Sequence, residues 1–196
     1  MRVGLGTGST VAYLLGELSL REVRAIYVAT SPATERAARS LGLRVESFDA
    51  RVSFDLAIDG ADQITEDGWL IKGAGGALTR EKIVAASADR FVVIADSSKL
   101  VESLHAPVPL ELLAFGVSST LRRLEPCALR DVAPSPDGGL IADYRGEVHE
   151  PHALASRLSS TPGVVEHGLF SPELVSEVYV GVGDEVRRVV VGGEHD

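Results

Sequence analysis

The chain has 196 residues, of which 45% are hydrophobic and 24% charged. That suffices for one large domain or two small ones with a proper core, and it excludes intrinsic disorder. The formal net charge of -9 and the lack of a basic patch exclude nucleic acid as a partner. A small anion can still be held by local lysines and backbone N–H groups. Cys127 is the single cysteine, so neither an intramolecular disulfide nor a thiolate metal cage is available. Neither a signal-peptide pattern nor an apolar run approaching the ~20 residues of a membrane span is present, and the cytoplasm is the expected compartment.

The first hundred or so residues alternate strand-like and helix-like patterns. Val3–Leu5 predicts a short strand, followed by Gly6-Thr7-Gly8-Ser9 and a helix from Thr10 to about Glu17. Ala25–Ala29 reads as a buried strand, and Thr30-Ser31-Pro32 opens a helix ending near Leu41 with Gly42 as its C-cap. Leu43–Val45 and Leu56–Ile58 are further strand candidates. Trp69–Ile71 leads into a glycine loop, Arg80–Ala88 has helical composition, and Phe91–Ala95 is another apolar run. Strands without polar alternation, spaced by helices, imply a parallel sheet covered on both faces.

After about Leu104 the texture changes. Ala106-Pro107-Val108-Pro109 reads as a linker and Leu110–Leu124 as helix-like. Strands are expected at Cys127–Arg130 and Leu140–Ala142, a helix at His152–Ser159, and short strands at Gly163–Val165 and Leu169–Phe170. This is the pattern of a smaller α+β unit. Val175–Val182 and Val186–Val191 around Gly183-Asp184 predict a closing hairpin.

Four polar clusters follow strand ends: Thr7-Gly8-Ser9-Thr10, Thr30-Ser31, Asp59-Gly60-Ala61-Asp62 and Asp96-Ser97-Ser98-Lys99. In an open α/β sheet the carboxyl ends of the strands share one edge, where ligands bind, so the clusters should converge on one pocket. Gly4-Leu5-Gly6-Thr7-Gly8-Ser9 fails as a dinucleotide fingerprint, because Ser9 takes the third glycine position and no acid follows the next strand. A phosphate at the helix N-terminus uses Thr7, Ser9 and Thr10. Lys72 precedes its glycines, so the loop is not a Walker motif.

His149 and His152 have Pro151 between them and lack a third ligand, and Asp59 with Asp62 is a thin shell for a cation; no metal is expected. What remains is an anion clamp, two or more acids and a lysine. That set suits proton abstraction beside a carbonyl in a small phosphorylated metabolite.

The runs Gly-Leu-Gly-Thr-Gly-Ser-Thr at 4–10, Asp-Gly-Ala-Asp at 59–62, Lys-Gly-Ala-Gly-Gly-Ala-Leu-Thr-Arg-Glu-Lys at 72–82 and Ala-Asp-Ser-Ser-Lys at 95–99 resemble ribose-5-phosphate isomerase of the A type. Pro162-Gly163-Val164-Val165 to Gly168-Leu169-Phe170 is similar to the family's late pattern. The resemblance implies interconversion of D-ribose 5-phosphate and D-ribulose 5-phosphate through an enediol, with no metal or organic cofactor. It implies Glu81 as general base, and Asp59 and Lys72 as aids to ring opening and oxygen protonation. Thr7, Gly8, Ser9, Thr10, Asp59, Gly60, Ala61, Asp62, Lys72, Gly73, Ala74, Gly75 and Lys99 are then expected to hold the substrate. The implied fold is a Rossmann-like, mostly parallel sheet domain, residues 1–104 plus 174–196. The resemblance also implies an inserted ferredoxin-like α+β domain, residues 105–173, of the kind the family often uses in oligomer contacts, so a homodimer or homotetramer is expected.

Three positions depart from the family pattern. The chain begins at Met1-Arg2 without the usual helix and strand lead-in, which should uncover apolar surface on the sheet and remove residues near the phosphate. Gln63 stands where many relatives have an acid, an exchange expected to adjust hydrogen bonding. Ala74 replaces a loop glycine, so its backbone should avoid strongly positive φ. The alternatives are a non-catalytic sugar-phosphate-sensing domain and an isomerase of another sugar phosphate.

Overall fold

A computed structural model of the chain describes residues 1–48 and 53–189. The chain divides into two compact units. The first comprises Met1–Gly60, Arg80–Ser97 and Glu173–Asp196; the second comprises Ala61–Thr79 and Ser98–Pro172. Differently from the limits expected by composition, segments 61–79 and 98–104 group with the second unit.

The elements in chain order are β1 (Arg2–Leu5), α1 (Ser9–Leu20), β2 (Ile26–Ala29), α2 (Pro32–Ser40), β3 (Leu56–Asp59), β4 (Gln63–Ile64), β5 (Leu70–Ile71) and α3 (Leu78–Ala86). Then come β6 (Phe91–Asp96), a 3-10 turn at Ser97–Lys99, β7 (Val108–Leu112), α4 (Val117–Arg123), β8 (Cys127–Leu129) and β9 (Leu140–Tyr144). The chain continues with α5 (Pro151–Ser160), β10 (Val164–His167), β11 (Leu169–Phe170), β12 (Glu177–Val182) and β13 (Glu185–Val189).

In the first unit β13-β12-β6-β3-β1-β2 form a six-stranded sheet. Every neighbouring pair is parallel except β12–β13, the closing hairpin. Val190 and Val191, expected in that hairpin, lie outside the described residues. Val3, Leu5, Leu15, Tyr27, Ala38 and Val45 form one core cluster of this unit. Ser31 caps α2 by accepting from Thr34 N at 3.1 Å, and Gly42 (φ 78°) ends that helix, as the sequence expects. Leu43–Val45 does not form the expected strand. Val45 is buried and makes one isolated bridge to Tyr27, while Leu43 packs half-buried against the same core.

In the second unit β10-β7-β9-β8 form an antiparallel sheet. With α4 and α5 the chain order is βαββαβ, and the spatial order of the strands is 4-1-3-2, the ferredoxin-like arrangement. A small antiparallel sheet, β11-β5-β4, draws residues 61–71 into the same unit. Leu110, Leu112, Leu124, Leu158 and Leu169 belong to a core cluster there, each at most 1% exposed.

Two expectations are corrected here. Val108–Pro109 is not linker but the start of β7, all five residues of which are buried. Pro109 is tolerated because its carbonyl accepts from Gly168 N at 2.7 Å just past the end of β10, where no partner calls for its missing N–H. Nor is Leu110–Leu124 one helix. Its first three residues are strand, and only Val117–Arg123 is helical, after Gly116 at φ 70°. A strand buried on both faces lacks alternation, so its apolar run mimics a helix face.

Leu110 is fully buried in an interior strand, so Leu110→Ala should lower the unfolding free energy by about 2–5 kcal/mol, read by chemical denaturation.

Candidate active site

Residues expected to act chemically fall in both units. In the first, β1, β2, β3 and β6 run parallel and deliver Thr7, Thr30, Asp59 and Asp96 to the same carboxyl edge. Asp59 is 3% exposed, and its Oδ1 accepts from Gly60 N at 2.7 Å and Thr7 N at 3.2 Å. Two backbone donors thus fix a buried carboxylate that would otherwise be costly. Gly6 makes room for it: a Cβ at residue 6 would lie 1.8 Å from Asp59 Cγ and Oδ1.

Thr7 Oγ1 lies 2.8 Å from Thr30 Oγ1, tying the ends of neighbouring strands. Gly8 at φ 127° then opens the 12-residue α1. That helix has no side-chain cap and no acid in its first turn, and Gly8 and Ser9 are exposed. Exposed first-turn N–H groups with two hydroxyl residues, Ser9 and Thr10, have the chemistry of an anion cradle. The Thr30-Ser31 cluster is spent structurally, on Thr7 and on the α2 cap.

In the second unit the β4–β5 pair sets Asp62 against the glycine loop. Asp62 N donates to Ile71 O at 2.8 Å, and Asp62 Oδ2 accepts from Ala74 N at 3.0 Å. Lys72 is 3% exposed, its N–H donating to Gly168 O at 2.9 Å and its Nζ 5.5 Å from the centre of the Phe170 ring. The ring face favours the ammonium electrostatically. Gly73, at φ 106°, accepts no other residue: a Cβ there would meet Leu78 Cβ at 2.9 Å and Pro109 Cβ at 3.0 Å. Ala74 avoids positive φ, as expected of an alanine in a glycine's place. Gln63 donates from Nε2 to His105 O at 2.8 Å and accepts from His105 N at 2.9 Å, so it anchors the chain near His105. Lys99 is half-buried and makes no ion pair among the described residues, which leaves its charge for an anion.

Helix α3 begins in the second unit and continues into the first, carrying Glu81 in its first turn at 4% exposure. Its start is tied down by a residue that sequence reasoning missed. Glu111 of β7, 2% exposed, accepts from Thr79 Oγ1 and from Ser135 Oγ, each at 2.5 Å. A Cβ at Gly139 would lie 2.3 Å from Glu111 Oε1, so this buried acid also faces a glycine. Phe170 and Arg130 were missed too. Phe170 had a signal, the apolar pair after Gly168. Arg130 had none, since it lies 56 residues from the loop it touches.

Cys127 supplies no nucleophile. Burial, helped by the charge of Asp143, pushes its thiol up to about 11, which keeps it protonated near neutrality. Iodoacetamide should therefore label the folded chain slowly at pH 7.5 and the denatured chain rapidly, as mass spectrometry can read. Gly6→Ala should cost about 1–3 kcal/mol of stability by pushing on the Asp59 carboxylate. In an Asp59→Ala background the same change should cost less than half as much, measured by denaturant unfolding.

The family model of ribose 5-phosphate isomerase A (phosphoriboisomerase A) matches residues 26–185. A curated relative, ribose-5-phosphate isomerase A of Gluconobacter oxydans, is 43% identical over 96% of this chain and 88% of its own length. The solved ribose 5-phosphate isomerase A of Methanocaldococcus jannaschii superposes with a TM-score of 0.90 at 33% identity, covering 97% of this chain and 91% of that one. A D-ribose-5-phosphate isomerase solved in complex with phospho-erythronic acid gives 0.90 at 32% identity, covering 97% and 90%. A buried acid held at a strand end, an open helix start and a lysine-led glycine loop thus stand on a backbone shared with these enzymes, and the chain belongs to the ribose-5-phosphate isomerase A family.

Proposed function

We propose that this chain interconverts D-ribose 5-phosphate and D-ribulose 5-phosphate through an enediolate, with Glu81 moving the proton between the two carbons. The carrying observation is Glu81 itself: a carboxylate 4% exposed in the first turn of a helix whose start is pinned through Thr79 and Glu111. A general base needs a fixed position before it needs a tuned affinity for protons. Family membership supplies the reaction, and the phospho-erythronic acid complex of a relative supports an acid-terminated phosphosugar analogue as the ligand.

Each remaining residue has a role in this scheme. Gly8, Ser9 and Thr10, at the start of α1, and Lys99 hold the phosphate, the helix with its dipole and N–H groups, the lysine with its charge. Thr7 joins strand ends and keeps Asp59 in place. Asp59 assists ring opening by exchanging a proton with the sugar oxygens. Lys72 stabilises the oxygen on which negative charge develops, where a preorganised cation contributes more than any other single effect. Gly60, Ala61 and Asp62 carry the chain past the substrate, and the loop Gly73, Ala74, Gly75 offers backbone N–H groups. Among the described residues no helix is long and apolar enough to cross a membrane. A cytoplasmic homodimer or homotetramer fits the family resemblance and is part of the proposal.

Glu81→Gln should lower kcat at least ~100-fold while KM stays within about threefold, since the amide keeps the shape but cannot take the proton. Coupled turnover of ribose 5-phosphate reads both constants. An unchanged kcat would remove Glu81 from the base role, and binding of ribose 5-phosphate by the wild type without turnover would favour a sensing domain instead.

A further inference from the structure

Arg130 follows β8 and reaches from there to the glycine loop, all within the second unit. Its Nε donates to both oxygens of Asp143 at 2.9 and 3.0 Å, and its Nη2 donates to Oδ1 at 2.6 Å. The remaining nitrogen, Nη1, donates to Gly73 O and Ala74 O, each at 3.2 Å. The two side chains are 18% and 13% exposed, so this paired guanidinium is largely screened from water. A planar fork is the shape such a task requires: one edge grips the carboxylate and the other grips two carbonyls.

The consequences for the loop follow from peptide geometry. The unit joining Gly73 to Ala74 is held at both ends, its carbonyl by Arg130 and its N–H by Asp62 Oδ2 at 3.0 Å. The next unit is held at its carbonyl only, again by Arg130. In a planar trans peptide the N–H points opposite to the carbonyl, so fixing Ala74 O turns Gly75 N–H away from the guanidinium. Gly75 is exposed, and its N–H donates no hydrogen bond among the described residues. The turn is closed by Gly76 N donating to Gly73 O at 3.1 Å. Gly73 is buried, so the exposed donor that this loop leaves over among the described residues is the Gly75 N–H, and its direction is set by an arginine more than fifty residues away.

We propose that Arg130, clamped by Asp143, is a positioning residue that orients the Gly75 N–H for an oxygen of the sugar-phosphate substrate. This rests on assigning the Lys72–Gly75 loop to substrate binding. Arg130 touches neither substrate nor reacting atoms; it acts through two carbonyls. A lysine cannot replace it, because one ammonium cannot grip the carboxylate and both carbonyls in the same plane.

The test uses the full chain with Arg130→Met/Asp143→Asn, which removes both charges together so that neither is left buried and unpaired. Ribose 5-phosphate kinetics should show KM raised ~10-fold or more with kcat within about threefold, the signature of lost binding common to ground and transition states. Arg130→Lys should behave alike, and serves as the reading if the double variant fails to fold by circular dichroism. A strut with a purely structural role would lower the unfolding midpoint and leave KM unchanged. Hydrogen exchange of the peptide spanning 72–78, with and without phospho-erythronic acid, separates the two layers of the argument. Slowed exchange in the wild type and not in the variant supports the proposal. No slowing in the wild type overturns the loop assignment and the proposal with it. Equal slowing in both, with KM within twofold, overturns the role of Arg130 alone.

Discussion

A carboxylate buried in a protein needs donors and it needs room. Asp59 and Glu111 meet those needs in the same way. Asp59 receives two backbone N–H groups at the end of β3, and the space for it is the missing side chain of Gly6. Glu111 receives two hydroxyls in the middle of β7, and the space for it is the missing side chain of Gly139. The glycine is chosen in each pair by the acid opposite, since neither Gly6 nor Gly139 has a positive φ to explain it. Donor supply offsets the desolvation of the acid, and the empty volume spares the strand from being pushed apart. Within its own unit each is a fixed point: Asp59 stands at the end of β3, and Glu111 holds the start of the helix that carries Glu81.

The small α+β unit is thereby more than an insertion. Its strand β7 contributes Glu111, its strand end contributes Arg130, and its turn contributes Ser135 and Gly139. Each bears on residues 73–79, the stretch between Lys72 and Glu81. Pro109, which reads as a breaker, helps shape that stretch by standing 3.0 Å from where a Cβ on Gly73 would lie. Loop conformation in this family member is thus written partly in residues with no chemical role of their own.

Much of this was legible in the sequence, for physical reasons that differ by element. The parallel sheet is readable because Ala25–Ala29 and Phe91–Ala95 are apolar without alternation and are spaced by helix-forming segments. Asp59 and the Lys72 loop announced themselves because acids and glycines weaken regular structure and so stand out. β7 is hidden in the sequence, as its Pro109 signals a break and its leucines fit either period. Arg130 and Glu111 were invisible for another reason. An arginine or a glutamate in a charged, acidic chain carries no local signature, and its meaning lies wholly in partners brought near by folding.

The chain passes between its two units after Gly60, Thr79, Ser97 and Pro172. Neither unit is therefore a continuous stretch, and no single nick or stop codon can liberate one intact. Dissection by truncation, routine for beads-on-a-string proteins, would here leave any unit it spares still joined to pieces of the other. Segment exchange between relatives faces the same wiring: a transplant of 98–172 leaves 61–79, its structural companion, behind in the recipient. Chimeras that respect the connectivity must carry two pieces of sequence to move the second unit and three to move the first.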